Sequence, residues 1–275
     1  MATVIEKQDL TEITKLFVVD APRVTHNARP GQFVVLRVSE TGERVPISIT
    51  NFDAAAGTIT LVVQEVGRTS GLICALEVGD EILDFAGPLG KPVALPESGH
   101  AVLVGGGFGA GAVFPLAREL RARGVTVSSI VGARTAELVI LRELLEPVSD
   151  HYHVCTDDGS LGYHGFVSGR LEELIESGAG FTSCFAVGPM PMMRAVAEVT
   201  RPYGLPTMVS LDPIMVDGTG MCGGCRVTID GHTKFACVDG PFFDAHKVDY
   251  DEAVARSKMY VDEERLACGL AGVGS

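Results

Sequence analysis

The feature that most constrains this chain is a change of periodicity at His100. Before it, from Ile5 to about Pro96, short runs rich in β-branched residues, such as Phe33 to Val38 and Thr58 to Gln64, lie between turn residues at Pro30-Gly31, Thr41-Gly42, Ala56-Gly57, Gly79-Asp80 and Gly87-Pro88. Several short strands at this spacing predict a β-barrel. After it, strand patterns from Ala101 to Val104, Val125 to Val131, His153 to Thr156 and Cys184 to Val187 alternate with helical ones from Val113 to Arg123, Ala136 to Leu145, Gly169 to Glu176 and Met190 to Arg201. That alternation predicts a parallel sheet covered by helices on both faces. Beyond Val209 the regularity breaks into a cysteine-rich segment, followed by a helix at Asp249 with Glu252 as its capping-box partner and a frayed end from Gly269. The expected organisation is a barrel over 1–97, an α/β domain over 98–209 and a small C-terminal domain over 210–275.

Three of the seven cysteines cluster as Cys222-x2-Cys225-x11-Cys237. The stretch from Arg226 to Ala236 reads as a hairpin turning at Asp230-Gly231, so position 229 faces 232, position 224 faces 237, and Cys237 folds back beside Cys225. Glycines at 218, 220, 223 and 224 let the preceding loop curl around a small inorganic cluster. A 2Fe-2S centre takes four protein ligands, and only three cysteines are local. Asp217 supplies the fourth in the pattern Asp-x4-Cys-x2-Cys-x11-Cys; alternatively it caps the loop and a distant thiol, Cys268 foremost, completes the set. A carboxylate gives ferric iron less electron density than a thiolate does, which predicts a modestly raised potential that falls when Asp217 is changed to Cys. Structural zinc on the same four residues is the competing reading, disfavoured because zinc knuckles usually come in pairs and a single Cys-x2-Cys is present.

Two elements of the first half point to a flavin. Arg44-Val45-Pro46-Ile47-Ser48 puts a guanidinium and a hydroxyl on one strand, and guanidinium pairs well with phosphate. Gly67-Arg68-Thr69-Ser70 leads directly into a helical run from Gly71 to Leu76, where hydroxyl caps and free amides favour phosphate. An exposed arginine and a plain capped helix are the bland alternatives. A third element, Gly105-Gly106-Gly107-Phe108-Gly109-Ala110, follows the first parallel strand and contains Gly-x-Gly-x-x-Ala, a dinucleotide loop in its proper context. The acid expected at the end of the next strand is replaced by Gly132-Ala133-Arg134-Thr135, which leaves NAD and NADP open.

With 35 acidic and 22 basic residues the formal charge is −13, so nucleic acid and anionic membrane are poor partners. The N-terminus lacks a signal-peptide core, and the long uncharged stretch from Ala101 to Ala117 holds five glycines and Pro115 rather than a membrane span. A cytoplasmic setting is expected, with Cys74, Cys155 and Cys184 as buried apolar residues, His151 and His153 as surface or capping residues, and a nucleotide or subunit contact as the less favoured reading of His164 and His246.

Taken in order, flavin barrel, nucleotide domain and C-terminal cluster resemble the ferredoxin-NADP reductase superfamily over nearly the whole chain. The branch it looks like holds the dihydroorotate dehydrogenase electron-transfer subunit and the small subunit of NADH-dependent reduced ferredoxin:NADP oxidoreductase, also described as sulfide dehydrogenase. The carriers are Pro30-Gly31-Gln32-Phe33, Arg44 through Ser48, Gly87-Pro88-Leu89-Gly90, the loop from Gly105, Thr156 through Ser160, Gly188 through Met192, Asp217 through Cys225, and Phe235 through Pro241. The dihydroorotate partner normally has cysteine at Asp217, whereas the second group resembles this chain in carrying aspartate. The resemblance implies FAD on Arg44, Pro46, Ile47, Ser48, Gly67, Arg68, Thr69 and Ser70. It implies NAD(H) near Gly105, Gly106, Gly107, Arg134, Asp157, Gly188, Pro189 and Met190, and the cluster on Asp217, Cys222, Cys225 and Cys237. Ile47 departs from the tyrosine often found on the flavin, and Val187 from the cysteine often found before Gly-Pro. The implied activity is hydride exchange between NADH and the flavin, then single-electron transfer through the cluster to a larger flavin and iron-sulfur subunit, with ferredoxin reached through that partner. No general base is required. Dihydroorotate dehydrogenase, sulfite reductase or hydrogenase as partner, and a nucleotide-binding relay without turnover, are the alternatives.

Overall fold

The computed structural model describes residues 2–261 together with 263 and 266; Cys268 and the segment from Gly269 lie outside the described residues. Seven antiparallel strands form the barrel: β1 (Ala2–Asp9), β2 (Thr14–Asp20), β3 (Phe33–Arg37), β4 (Val45–Asp53), β5 (Thr58–Gln64), β6 (Glu81–Ile82) and β7 (Asp84–Leu89), in the spatial order β6-β1-β2-β5-β4-β3-β7. Helices α1 (Pro22–Thr25) and α2 (Arg68–Cys74) pack into its core through Val24, Ile73 and Cys74. Period-two patterning turns Phe17, Val19, Val34, Leu36, Ile59 and Leu61 inward, where burial of each such side chain contributes about 2 kcal/mol.

The second sheet has the order β11-β10-β9-β8-β12-β13-β16, built from β8 (His100–Gly106), β9 (Thr126–Ala133), β10 (His151–Thr156), β11 (Tyr163–His164), β12 (Ser183–Val187) and β13 (Thr207–Ser210), all parallel, with β16 (Phe242–Asp244) antiparallel at the edge. On one face lie α3 (Gly109–Ala122) and α4 (Arg142–Leu145); on the other lie α5 (Val167–Glu176) and α6 (Met190–Thr200). Helix α3 is buried almost all round because it is wedged between this sheet and the barrel, and a Cβ on Gly111 would touch Thr50 and Val62 of the barrel. Arg118 of α3 also bonds Asn51. The helix expected from Ala136 to Leu145 is broken: a 3-10 turn at Ala136–Leu138, an extended Val139, and Leu141 at φ 57° precede the single turn of α4. β-branched Val139 and Ile140 resist the helix, and Ile140 and Leu141 are drawn into the core instead.

The cysteine segment adds the hairpin β14 (Arg226–Ile229) and β15 (His232–Phe235), the turn α7 (Ala236–Asp239) and the helix α8 (Tyr250–Ser257). Asp230 and Gly231 both take positive φ, 53° and 71°, as a two-residue turn with right-handed strand twist requires. Ile229 faces His232, and Asp249 caps α8 by accepting from the Glu252 amide, both as the sequence predicts. Because β16 returns to the β13 edge, this segment is stitched to the parallel sheet. No helix among the described residues is long and apolar enough to cross a membrane.

Candidate redox site

The chain turns back on itself between β8 and β12, with β9 and β10 to one side and β13 to the other. Loops leaving those two strands diverge at the carboxyl edge and leave a crevice there, the general ligand position in such sheets. A cavity of about 540 Å³ occupies it, lined by Gly106, Gly107, Arg134, Asp157 and Pro189 among the expected residues. Gly107 takes φ 55° and donates its amide to Gly132 O at 2.8 Å. A Cβ on Gly106 would run into the Met192 sulfur, and one on Gly109 into the Val187 carbonyl, so loop and β12 touch backbone to backbone. Gly105 and Gly188 are buried beneath the crevice, and Met190 starts α6 half-buried. Arg134 and Asp157 are exposed on its rim, neighbours because Thr156 pairs with Ala133 and the Asp157 amide donates to Ala133 O at 3.1 Å. Sequence patterns gave no sign of Phe108 and Phe166, 44% and 70% exposed at the mouth, or of Thr11, Thr14 and Gln64, which the barrel contributes across the cleft. Phe108 stands in the glycine loop only as a variable position and Phe166 in no motif, and the barrel residues meet the crevice only through packing.

The flavin motifs, distant in sequence, meet at the barrel rim. Thr69 Oγ1 donates to Glu43 Oε2 at 2.8 Å, tying the start of α2 to the residue before Arg44. Ser70 Oγ reaches back to accept from the Gly67 amide at 2.9 Å. Arg44 is exposed, with its guanidinium on Asp84 at 3.1 Å; Arg37 at 2.6 Å is the main reason the Asp84 carboxyl sits below the usual carboxylate range, with Arg44 adding to it. Pro46 and Ile47 are half-buried and Ser48 is exposed, opposite Val35, Val34 and Phe33 respectively. Gln32 Nε2 donates to Gly90 O at 2.9 Å, which joins two more of the distinctive motifs. The Arg68 and Thr69 amides open α2 without an acceptor among the described residues, and nothing crowds Gly67, a cradle that fits a diphosphate.

At the third site Cys225 and Cys237 are buried with their sulfurs 3.1 Å apart, as the hairpin register predicts, and Cys222 is exposed. The Cys237 amide donates to Cys225 Sγ at 3.5 Å and the Gly224 amide to Cys222 Sγ at 3.4 Å, so loop amides already point at the sulfurs. Burial and the neighbouring Cys225 push the Cys237 thiol up, so deprotonation there calls for a cation such as iron. Asp217 accepts from the Thr219 amide at 2.8 Å and from the Cys222 amide at 2.9 Å, bonds that hold its carboxyl below the usual range. This is the capping role; a carboxylate has about four lone-pair sites, so two donors leave room for a metal. Soft sulfur donors on a glycine loop fit an iron-sulfur cluster.

Residues 212–249 match the family described as the iron-sulfur cluster binding domain of dihydroorotate dehydrogenase B. Over 96% of the chain, and 93% of the relative, it is 41% identical to the dihydroorotate dehydrogenase B (NAD(+)) electron transfer subunit homolog of Thermotoga maritima. The corresponding subunit of Geobacillus thermodenitrificans is 34% identical over 90% of the chain and 96% of its own length. The chain belongs to the family of dihydroorotate dehydrogenase B electron-transfer subunits and their homologues. A chain solved in the structure of NADH-dependent reduced ferredoxin-NADP oxidoreductase, reported for its insight into flavin-based electron bifurcation, superposes with a TM-score of 0.93, 40% identity and coverage of 97% of this chain and 96% of that one. Within this family the barrel, parallel sheet and cysteine segment are the ferredoxin-NADP reductase-like flavin unit, nucleotide unit and iron-sulfur unit.

Proposed function

We propose that this chain is the electron-transfer subunit of a ferredoxin:NADP transhydrogenase-type complex, loaded with FAD and one 2Fe-2S cluster and served by NAD(H). The carrying observation is the near-complete match to a chain of NADH-dependent reduced ferredoxin-NADP oxidoreductase. FAD, when bound, would supply hydride exchange with the nicotinamide, and the cluster would supply single-electron transfer, while the protein supplies position and electrostatics. The units are 1–97, 98–209 and 210–275. The Gly105–Gly107 loop, Gly188, Pro189 and Met190 cradle the nucleotide, with Arg134 and Asp157 on the rim. The Arg68 and Thr69 amides, Gly67, Ser70 and Arg44 receive the flavin's phosphates, and Pro46, Ile47 and Ser48 flank its ring. Cys222, Cys225, Cys237 and Asp217 hold the cluster.

Exposed Met221, 88% open to solvent, precedes Cys222, while Val216 lies against the loop at Gly224 and Val238 at Gly220, an exposed apolar set suited to a larger partner subunit. Ferredoxin would be reached through that partner, and three cysteines clustered as in a metal site rather than a disulfide framework accord with a cytoplasmic setting. A second reading, in which the partner is a dihydroorotate dehydrogenase, is favoured by the names of the relatives. Anaerobic purification with iron, flavin and partner identification, followed by stopped-flow mixing with NADH, tests the proposal. Rapid flavin bleaching and a flavin and iron-sulfur partner are expected; zinc without iron, or NADH binding without bleaching, would overturn it. Asp217→Cys should lower the cluster potential in a redox titration.

A further inference from the structure

Helix α8 reaches the cluster loop. It is anchored first beside the hairpin, where the Asp249 amide donates to Thr228 O at 3.0 Å and the Asp230 amide to Lys247 O at 2.8 Å. Seven residues on, Arg256 Nη2 donates to Gly224 O at 3.0 Å. Seven helical residues advance about 10 Å, and the four steps from Thr228 back to Gly224 cover about 13 Å of extended chain. A helix running back along β14 therefore brings Arg256 level with the Cys222–Cys225 spacer. Arg226 Nη1 donates to the neighbouring Gly223 O at 3.2 Å. Both carbonyls between the two cysteines are thus held by guanidinium groups.

Arg256 is half-buried, and its Nε is shielded from solvent with no acceptor among the described residues. A guanidinium is a fixed cation, and away from solvent its field is screened less than that of a solvated charge. Reduction adds one negative charge to a cluster, so a fixed cation beside the ligand loop favours the reduced state; net charge is among the factors that set cluster potentials. The other end of α8 is tied to α6 by Arg194 and Asp251 at 2.8 Å and by the Tyr250 hydroxyl donating to Met193 O at 3.5 Å. That end lies away from the loop and provides a control.

We infer that Arg256 is a positioning residue for the iron-sulfur cluster: it fixes the Cys222–Cys225 loop through the Gly224 carbonyl, and its charge favours the reduced form. This rests on the cluster proposed above. The full chain, reconstituted anaerobically with iron and sulfide, is compared with Arg256→Met, Arg256→Lys and Asp251→Asn by iron content, thermal melting and redox titration followed by electron paramagnetic resonance. Arg256→Met should retain iron roughly tenfold less tightly. At fixed potential its ratio of reduced to oxidised cluster should fall about tenfold, a downward shift of about 59 mV for one electron. Arg256→Lys keeps the charge and should stay within about threefold of the wild-type ratio. Asp251→Asn should lower the melting temperature and leave the midpoint unchanged, which separates a general role of α8 from the specific one. Iron loss by a folded Arg256→Met too severe for titration supports the positioning role, and Arg256→Lys then decides the charge. Full iron and a wild-type midpoint in Arg256→Met, or an equal fall in Arg256→Lys, would overturn the inference. A wild-type chain without iron would instead overturn the cluster.

Discussion

In the loop after β8 two glycines, Gly106 and Gly109, are demanded by neighbours and Gly107 alone by its backbone at φ 55°, whereas the cluster loop repeats the backbone demand at three positions. A side chain at Gly106 or Gly109 would overlap Met192 or the Val187 carbonyl. Gly218, Gly220 and Gly223 instead have φ of 72°, 85° and 70°, a left-handed region that other residues rarely enter. The first loop is shaped by a close-packed sheet and stands ready as a crevice. The second lies at the surface, and its shape comes from Asp217 and two arginines. The nucleotide site should therefore be indifferent to the cluster, and metal binding should contribute to the order of the cluster loop.

The sharpest way to break that contrast is Cys237→Ser. Nearly all iron should be lost, with NAD+ affinity by calorimetry unchanged; a parallel loss of NAD+ binding would show that the two loops are coupled. Gly109→Ala is the converse test. Overlap with main chain cannot be relieved by a rotamer change, so stability should fall by about 3 kcal/mol in thermal melting, together with NAD+ affinity. Cys222, Cys225 and Cys237 should still take up iron in the molecules that fold. Ser70→Ala extends the comparison to the barrel: it removes the acceptor of the Val66 and Gly67 amides and should lower stability by about 1 kcal/mol and weaken flavin retention.

The smallest effect concerns Asp212, on the link between the two regions. Solvent reaches its side chain, yet the surrounding protein limits hydration and raises its carboxyl to about 6. The folded chain then binds this proton more tightly than the unfolded chain, whose aspartate titrates near ~4. Its contribution is present at low pH and is lost as pH rises from ~4 through 6. Asp212→Asn should flatten that part of the stability profile in melts of the cofactor-free chain; an unchanged slope would assign it elsewhere.

Much of the site was legible because the chemistry is local in sequence. The hairpin at Asp230-Gly231 follows from turn chemistry, and its register alone folds Cys237 back to Cys225. The dinucleotide loop is legible because glycines follow an apolar strand. Helix boundaries were less so: α3 begins at Gly109, α2 at Arg68 and α5 at Val167, where glycine or loop-like residues disguise a first turn.

By itself, the sequence determined the change from barrel to parallel sheet, the cysteine register and the glycine loops, since each depends on period, turn type or spacing within a few residues. Tertiary structure alone decided that Val139–Leu141 leave the helix for the core, that β16 returns to the sheet, that Phe166 and Thr14 face one cavity, and that Arg256 reaches Gly224. Those outcomes depend on which surfaces meet when the units pack, and short-range patterning carries no information about such long-range contacts.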